Sequence, residues 1–163
     1  MEIPKTLWYN AAPTLDSVLV AEALVMTNDN FSEDVLMASE IEFQINEYLS
    51  DETKLYQDWY TVVTQAKTEG KQYLTPVGVV PELDEIKRLF EKWFRKQRET
   101  LKKLCAEYCQ KREQLKEHEP LIIAAVADVL TVVFVGTPVN VAAIATILVV
   151  GKYLDRLCNC PKN

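Results

Sequence analysis

The chain of 163 residues has 48% apolar and 26% charged residues, which is typical of a folded globular domain and excludes a disordered chain. Its four glycines are too few for the clustered glycine of phosphate-binding loops and tight β-hairpins. The net charge of −6 is unevenly placed, because acids dominate residues 1–80 whereas residues 81–119 hold an excess of bases. An acidic half followed by a basic helix is the first indication of function.

Residues 1–70 form an acidic helical subregion in which the spacing of apolar residues predicts three helices. We place these helices at residues 13–27, 32–49 and 51–69. Ser32 and Ser50 are the predicted N-caps of the second and third helices, and Gly70 is the predicted stop of the third. The middle of the second helix, residues 41–45, alternates with a period of two, so a β-strand also stays open there.

A connector over residues 71–81 leads into a long basic amphipathic helix over residues 82–118. Its segment from Lys87 to Lys103 carries eight bases and two acids, with bulky apolar residues on the opposite side. We select six residues of this segment as a candidate interaction surface: Arg88, Lys92, Trp93, Arg95, Lys96 and Lys102. Such a surface is solvated or is paired with the acidic half of the chain, or it contacts an anionic membrane or nucleic acid.

The apolar stretch over residues 121–150 contains a single charged side chain, Asp128. It is interrupted at Gly136, Thr137 and Pro138, which suit the end of one helix, the N-cap of the next and its first turn. The stretch therefore predicts a helical hairpin with these three residues as its hinge. The first arm spans about 22 Å, which is shorter than the roughly 30 Å hydrocarbon layer of a membrane.

Two environments suit this hairpin. Its arms are apolar on nearly all sides, so we first expect burial as the central pair of a bundle, wrapped by the amphipathic helices. Insertion into a membrane, with basic residues flanking both ends, is the alternative, and the β-branched residues 129–135 also leave β structure open. In either case Asp128 needs a polar environment, which we expect Arg or Lys of the long helix, or the surface, to supply.

Four cysteines occur as two close pairs, at positions 105 and 109 and at positions 158 and 160. A second hairpin arm that continues to residue 157 would be about 28 Å long and would place Cys158 near His118, away from Cys105 and Cys109. We therefore expect reduced thiols, as in cytosolic proteins, rather than a zinc site built from all four.

Catalytic signatures are absent from the sequence, which lacks the common motifs of nucleotide-binding, hydrolytic and metalloprotease sites. The single histidine, His118, lies at a helix end about 13 Å along the helix from Cys109, too far to activate it. We expect His118 to cap the helix or face solvent. No metal, cofactor, catalytic residue or small-molecule substrate is predicted, and no enzymatic activity.

These patterns predict an all-α protein with one domain over residues 1–163. We expect a bundle of about five to six helices with one long amphipathic helix and an apolar helical hairpin over residues 120–157. The layout of a C-terminal apolar hairpin among amphipathic helices resembles that of pore-forming bacteriocin domains and of apoptosis-regulator bundles, in architecture and without a shared motif.

The function expected first is that of a non-enzymatic helical protein-interaction or scaffold protein, with a protein partner or with self-association through the hairpin. The alternative is a membrane-acting effector whose hairpin enters lipid when released. The third is nucleic-acid binding through Lys87–Lys103. Met1 to Asn10 lacks a basic start and an apolar run, so we expect no secretory signal and a cytoplasmic location, at or in the membrane under the alternative.

Overall fold

The computed structural model describes residues 29–68 and 80–161. The chain divides into two compact units, Met1–Ala38 and Ser39–Asn163. In the first unit the described residues, from Asp29 on, are helical. The predicted helix at residues 13–27 and nearly all of the predicted connector lie outside the described residues.

The described part of the chain is helical and contains no strand, which confirms the all-α prediction. In chain order its elements are α1 (Asp29–Ser50), α2 (Glu52–Thr68), α3 (Leu83–Leu101), a 3₁₀ turn (Lys102–Leu104), α4 (Cys105–Gln114), α5 (Glu119–Val133), α6 (Val141–Val150) and α7 (Tyr153–Cys158). The strand left open at residues 41–45 does not form, because those residues lie inside α1.

Both predicted serine caps are wrong. Helix α1 begins at Asp29, so Ser32 lies inside it. The hydroxyl of Ser50 donates to the carbonyl of Glu47 at 2.7 Å and belongs to the last turn of α1. The cap of α2 is Asp51, whose carboxylate accepts from the backbone N–H of Lys54 at 3.0 Å. Aspartate suits the N-cap position because its carboxylate accepts a hydrogen bond from a backbone N–H that has no partner within the helix.

The predicted long helix is shorter and is divided. Helix α3 passes through the 3₁₀ turn into α4, which ends at Gln114, and α5 begins at Glu119 with Pro120 in its first turn. A helix that continued through Pro120 would lose one backbone hydrogen bond and clash with the preceding turn. The break therefore falls in the residues just before this proline.

The core of the second unit lies around α6. Eight consecutive residues of this helix, from Ala142 to Val149, are buried, and α6 packs against α2, α5 and α7. Each fully buried aliphatic side chain contributes about 1.5–3 kcal/mol of transfer free energy. None of the helices in the described ranges combines the length and the apolar character needed to cross a membrane.

The turn between α5 and α6 differs from the predicted hinge. Helix α5 ends at Val133, and the N–H of Thr137 donates to the carbonyl of Phe134 at 2.9 Å in a turn where Gly136 has φ +75°. The N-cap of α6 is Asn140, not Thr137, because its side-chain oxygen accepts from the N–H of Ala143 at 3.0 Å. Thr137 and Pro138 lie outside the helices, in the turn.

The second arm also ends earlier than predicted. Helix α6 stops at Val150, Lys152 takes the left-handed conformation at φ 59°, and α7 starts in a new direction at Tyr153. At about 1.5 Å per residue, α6 is about 15 Å long instead of the 28 Å expected of a continuous arm. The C-terminal cysteines therefore lie at the end of α7 and just after it, not at the end of one continuous second arm.

The prediction of reduced thiols is wrong for this reason. Helix α7 packs against α4, and two disulfides join α7 and the residues just after it to α4: Cys105–Cys158 and Cys109–Cys160, with Cα–Cα distances of 5.0 and 5.4 Å. Cysteines four residues apart on α4 face the same side and can both pair. The four thiols are therefore committed to disulfides rather than to a zinc ion.

Candidate functional site

The basic helix α3 is held by a buried aromatic cluster on its inner side. Phe90 is fully buried, and its ring lies 5.0 Å from that of Trp59 in α2 and 5.3 Å from that of Tyr153 in α7. Lys87 adds an ion pair of 2.8 Å to Glu52, at the start of α2. Helix α3 thus has α2 beside one flank and α7 beside the other, and a different cavity lies along each flank.

The first flank is an open groove, which we call the α2–α3 groove, with a volume of about 450 Å³. Its lining comes from α2, α3 and the turn before α6: Trp59, Tyr60, Val63, Thr64, Leu89, Lys92, Trp93, Lys96, Gln97, Thr137, Pro138 and Val139. This volume is within the usual range of binding pockets in proteins. The groove brings together three residues of the predicted interaction surface and two of the predicted hinge.

The α2–α3 groove has an aromatic floor and a cationic edge. The half-buried ring of Trp93 lies 6.1 Å from those of Trp59 and Phe134, which fixes the indole between α2 and the end of α5. Leu89 is 37% exposed, and Lys92 and Lys96 are exposed. The charged side chains among the described lining residues are these two lysines, so the described lining of the groove carries positive charge.

The turn that forms one end of the groove is connected to α1 and α2 by side-chain hydrogen bonds. The side-chain amide of Asn140 donates to the hydroxyl of Tyr48 in α1 at 3.0 Å, and that hydroxyl donates to Asp58 in α2 at 3.0 Å. Burial is the main reason that the pKa of Tyr48 rises to about 12, and the Asp58 carboxylate adds to it. The sequence signal for this network was weak, because Asn140 and Tyr48 are 92 positions apart.

The second flank of α3 is a smaller pocket, which we call the arginine pocket, with a volume of about 250 Å³. Its lining comes from α3 and α7: Glu91, Phe94, Arg95, Arg98, Tyr153, Arg156 and Leu157. Arg95 was predicted to share one surface with Lys92, and the two lie on opposite flanks. Arg98 and Arg156 were not among the residues predicted from the sequence. Arg98 could have been found by its spacing of three from Arg95, whereas Arg156 required the direction of α7.

The remaining predicted residues contribute to neither cavity. Arg88 and Lys102 are exposed, and Lys102 forms an ion pair of 2.7 Å with Glu99, whose pKa is lowered by this contact. Asp128 is exposed, which matches the surface alternative. No ion pair within 4 Å joins Asp128 to α3 or α4 in the part of the chain that the structure describes.

No metal site is visible where the structure describes the chain: over residues 29–68 and 80–161, no three His, Cys, Asp or Glu side chains are placed to hold an ion. His118 is exposed next to the start of α5. The geometry thus offers two cavities built on α3, one apolar with lysines and one with three arginines.

Comparison of the chain with known proteins gives no match, either to a protein-family model, to a curated protein or to a solved structure.

Proposed function

We propose that this chain is a non-enzymatic protein-interaction module that binds an acidic amphipathic helix of a partner protein in the α2–α3 groove. The observation that carries the proposal is the combination of an open apolar groove with Lys92 and Lys96 as its described charges. An amphipathic helix binds such a groove by placing apolar anchors at i, i+3, i+4 and i+7 into it.

The apolar part of the groove supports binding of large side chains. Trp93 and Leu89 present exposed surface from α3, and Tyr60 and Val63 present it from α2. Aromatic residues in partly preformed pockets dominate the energy of protein interfaces. Trp59 has a buried indole N–H without a hydrogen-bond partner in the described part of the chain, and such a donor costs about 1–3 kcal/mol until an acceptor reaches it.

The charges of the groove support an acidic partner. Lys92 and Lys96 are one helical turn apart on α3, and no acidic side chain is among the described residues that line the groove. Carboxylates spaced one turn apart on a bound helix would face both ammonium groups. Complementary charges of this kind raise the association rate and select the partner more than they raise affinity.

The test uses two fluorescent peptides that share apolar anchors at i, i+3, i+4 and i+7 and carry either glutamates or lysines at the other positions. Binding to the purified oxidised protein is followed by anisotropy, and a change in tryptophan emission, to which Trp59 and Trp93 of the groove contribute, reports its occupancy. We expect the glutamate peptide to bind at least about tenfold more tightly than the lysine peptide, because of the two lysines.

The matched variants reverse charge inside and outside the groove. The double variant K92E/K96E should invert the preference and bind the lysine peptide more tightly, whereas R88E, on the same helix but outside the groove, should keep the wild-type order. The proposal is wrong if neither peptide binds the wild-type protein, or if K92E/K96E and R88E have the same effect.

The other expected functions remain predictions with weaker support. Self-association or membrane insertion through the apolar arms would have to expose α6, whose residues from Ala142 to Val149 are buried. The disulfides also tie α7, and with it the end of α6, to α4. Nucleic-acid binding would use one continuous basic surface, but the basic side chains of α3 divide between two flanks with Glu91 beside the second.

The two disulfides also bear on location. The cytoplasmic location was expected from the residues Met1 to Asn10, and reduced thiols were expected in keeping with it, but disulfides persist mainly in oxidising compartments. We therefore propose that the protein acts where these bonds are stable. Alkylation of free thiols in cells that make the protein, followed by mass spectrometry, tests this: thiols of Cys105 and Cys158 that are found alkylated would contradict it.

A further inference from the structure

We propose that the arginine pocket is a binding site for the phosphate group of a phosphate monoester. The site lies between α3 and α7, on the flank of α3 opposite the α2–α3 groove, and is independent of the function proposed above. Three guanidinium groups line it: Arg95 and Arg98 from α3 and Arg156 from α7.

The charge of the pocket matches a dianion. Its described lining holds three arginines and one acid, Glu91, which leaves a balance of two positive charges. A phosphate monoester carries about two negative charges near neutral pH, whereas a carboxylate carries one. The planar fork of each arginine also matches the geometry of phosphate oxygens, which it can bind through two N–H groups.

Arg95 and Arg98 are available for such a ligand. Both side chains are exposed, and neither forms an ion pair within 4 Å in the described part of the chain. They lie three residues apart on α3, so they project from neighbouring positions of the same face. In contrast, Arg112 on α4 is already paired, at 2.9 Å from Asp155, and does not line the pocket.

Arg156 is held in place before any ligand binds. Its Nε–H donates to the carbonyl of Lys152 at 3.3 Å, its Nη2 lies 3.4 Å from the carbonyl of Gly151, and the guanidinium lies 4.7 Å from the ring centre of Tyr153. A guanidinium that is fixed beforehand loses less conformational entropy on binding. The left-handed turn at Lys152 therefore positions one of the three cations of the site.

The disulfides contribute to the site, because they tie the short helix α7, which carries Arg156, to α4. Cys158 lies two residues after Arg156, and its bond to Cys105 holds α7 against α4. Cys109–Cys160 adds a second link near the end of the helix. A dithiol reductant would open each bond to two thiols and itself become a disulfide, and α7 would then lose its covalent position. We infer that phosphate binding requires the oxidised protein.

The size of the pocket suits the phosphate group itself and not a large attached molecule. Its volume of about 250 Å³ is below the usual range for drug-sized ligands. The same group occurs on soluble monoesters and on the headgroup of phosphatidic acid. The shared chemistry is a terminal phosphate, and the two sources are separated by experiment.

The experiment measures binding of inorganic phosphate to the oxidised full chain by isothermal calorimetry, with acetate as the singly charged comparison. Vesicles of neutral phosphatidylcholine with and without phosphatidic acid form the lipid arm. We expect saturable phosphate binding that is at least about tenfold tighter than acetate binding, since more than one arginine contacts the dianion. Sedimentation with the phosphatidic acid vesicles assigns the site to a lipid headgroup, and its absence assigns it to soluble monoesters.

The variants test the pocket against general charge. R95Q/R98Q should weaken phosphate binding at least about tenfold, whereas R88Q, an exposed arginine of α3 outside the pocket, should change it less than about twofold. E91Q should strengthen binding about threefold, because it removes a negative charge that faces the ligand. If these residues had only a structural role, R95Q/R98Q and E91Q would not change the affinity for phosphate in opposite directions.

Three results would overturn the proposal: no saturable binding of phosphate by the oxidised wild-type protein, equal losses in R95Q/R98Q and R88Q, or equal affinity for phosphate and acetate. Circular dichroism of each variant confirms that it is folded before binding is compared. Phosphate binding by the fully reduced protein would be consistent with the pocket as the phosphate site but would contradict the inference that binding requires the disulfides.

Discussion

The two ends of the α5–α6 pair are held together in different ways. At the end where α6 meets α7, which we call the disulfide-linked end, two covalent bonds join α7 to α4, and Asp155 accepts a hydrogen bond from Tyr108 at 2.6 Å. At the end between α5 and α6, which we call the turn end, contacts are noncovalent. There the side chain of Asn140 caps α6 and donates to Tyr48.

This difference predicts that the arginine pocket is the more rigid of the two cavities and that the wall of the α2–α3 groove can move. The arginine pocket takes Arg156 from the disulfide-linked end, where two covalent bonds limit the movement of α7. The α2–α3 groove takes Thr137 and Pro138 from the turn end, where a rearrangement costs only hydrogen bonds and packing. A rigid site suits a small ion, and an adjustable wall suits a partner helix.

The largest expected effect is at the disulfide-linked end. Replacing Cys158 and Cys160 by serine together should lower the free energy of unfolding by about 5 kcal/mol, because each bond closes a loop of more than 50 residues, 53 and 51 in sequence separation. Either single replacement should cost about 2 kcal/mol, since the remaining bond still closes nearly the same loop.

Urea denaturation of the oxidised proteins measures these values. The double variant serves as its own control, because added reductant should not destabilise it further. A loss in the double variant that is no larger than the sum of the losses in the two single variants would contradict the interpretation of the bonds as nearly redundant closures.

The next effect is at the turn end. Asn140→Ala should lower the free energy of unfolding by about 2 kcal/mol, because it removes both the cap of α6 and the donor to Tyr48. Asn140→Ser should recover about half of the loss, since serine restores a cap acceptor but does not reach Tyr48. Thermal denaturation checks the order, and a serine variant as unstable as the alanine variant would show that the cap is not important.

Substitution of Gly136, at the turn end, and of Gly151, at the disulfide-linked end, compares the two ends directly. A Cβ atom on Gly151 would lie 2.7 Å from Cε2 of Tyr153 and 2.8 Å from the carbonyl oxygen of Ile147, so Gly151→Ala should cost about 2 kcal/mol. Gly136 has open space but φ +75°, so Gly136→Ala should cost about 1 kcal/mol, the price of the left-handed conformation.

Gly136→Asn is the matched control, because asparagine tolerates the left-handed region and should cost less than alanine. The expectation fails if alanine at position 136 is as costly as alanine at position 151, or if asparagine does not improve on alanine.

The last effect is absent at neutral pH and concerns one tyrosine at the turn end. Burial raises the pKa of Tyr48 from 10.0 to about 12 in the folded protein. The unfolded chain therefore loses this proton first, so the stability from the neutral hydroxyl is complete below pH 10 and is lost as pH rises towards 12. The loss is at most about 1.4 kcal/mol per pH unit for one group.

Tyr48→Phe should remove this contribution and flatten the decline of unfolding free energy above pH 10. Tyr108→Phe should do the same at the disulfide-linked end, because burial, followed by Asp155, also raises the pKa of Tyr108. Denaturation at a series of pH values measures the slopes, and unchanged slopes in both variants would show that other groups control alkaline unfolding.

The spacing of apolar residues in the sequence predicted much of the fold, but it did not predict most of the residues that form the two cavities. The spacing of apolar residues located α2, α3 and the two apolar arms, because burial of one helix face imposes that spacing. The end of α6 was not predicted because it depends on Lys152, which takes the left-handed conformation, and lysine is not a residue that indicates this conformation in a sequence. That single error reversed the prediction for all four cysteines and hid Arg156 from the basic surface.

The disulfides also turn part of the chain into a covalent ring. Cys109 and Cys158 delimit a segment that contains α5, the exposed turn and α6, and both bonds join its two ends. A protease that cuts once anywhere within this segment, for example at the exposed Val135, yields two fragments that still migrate together without reductant. The exposed turn end can therefore be nicked without release of the C-terminal part of the molecule.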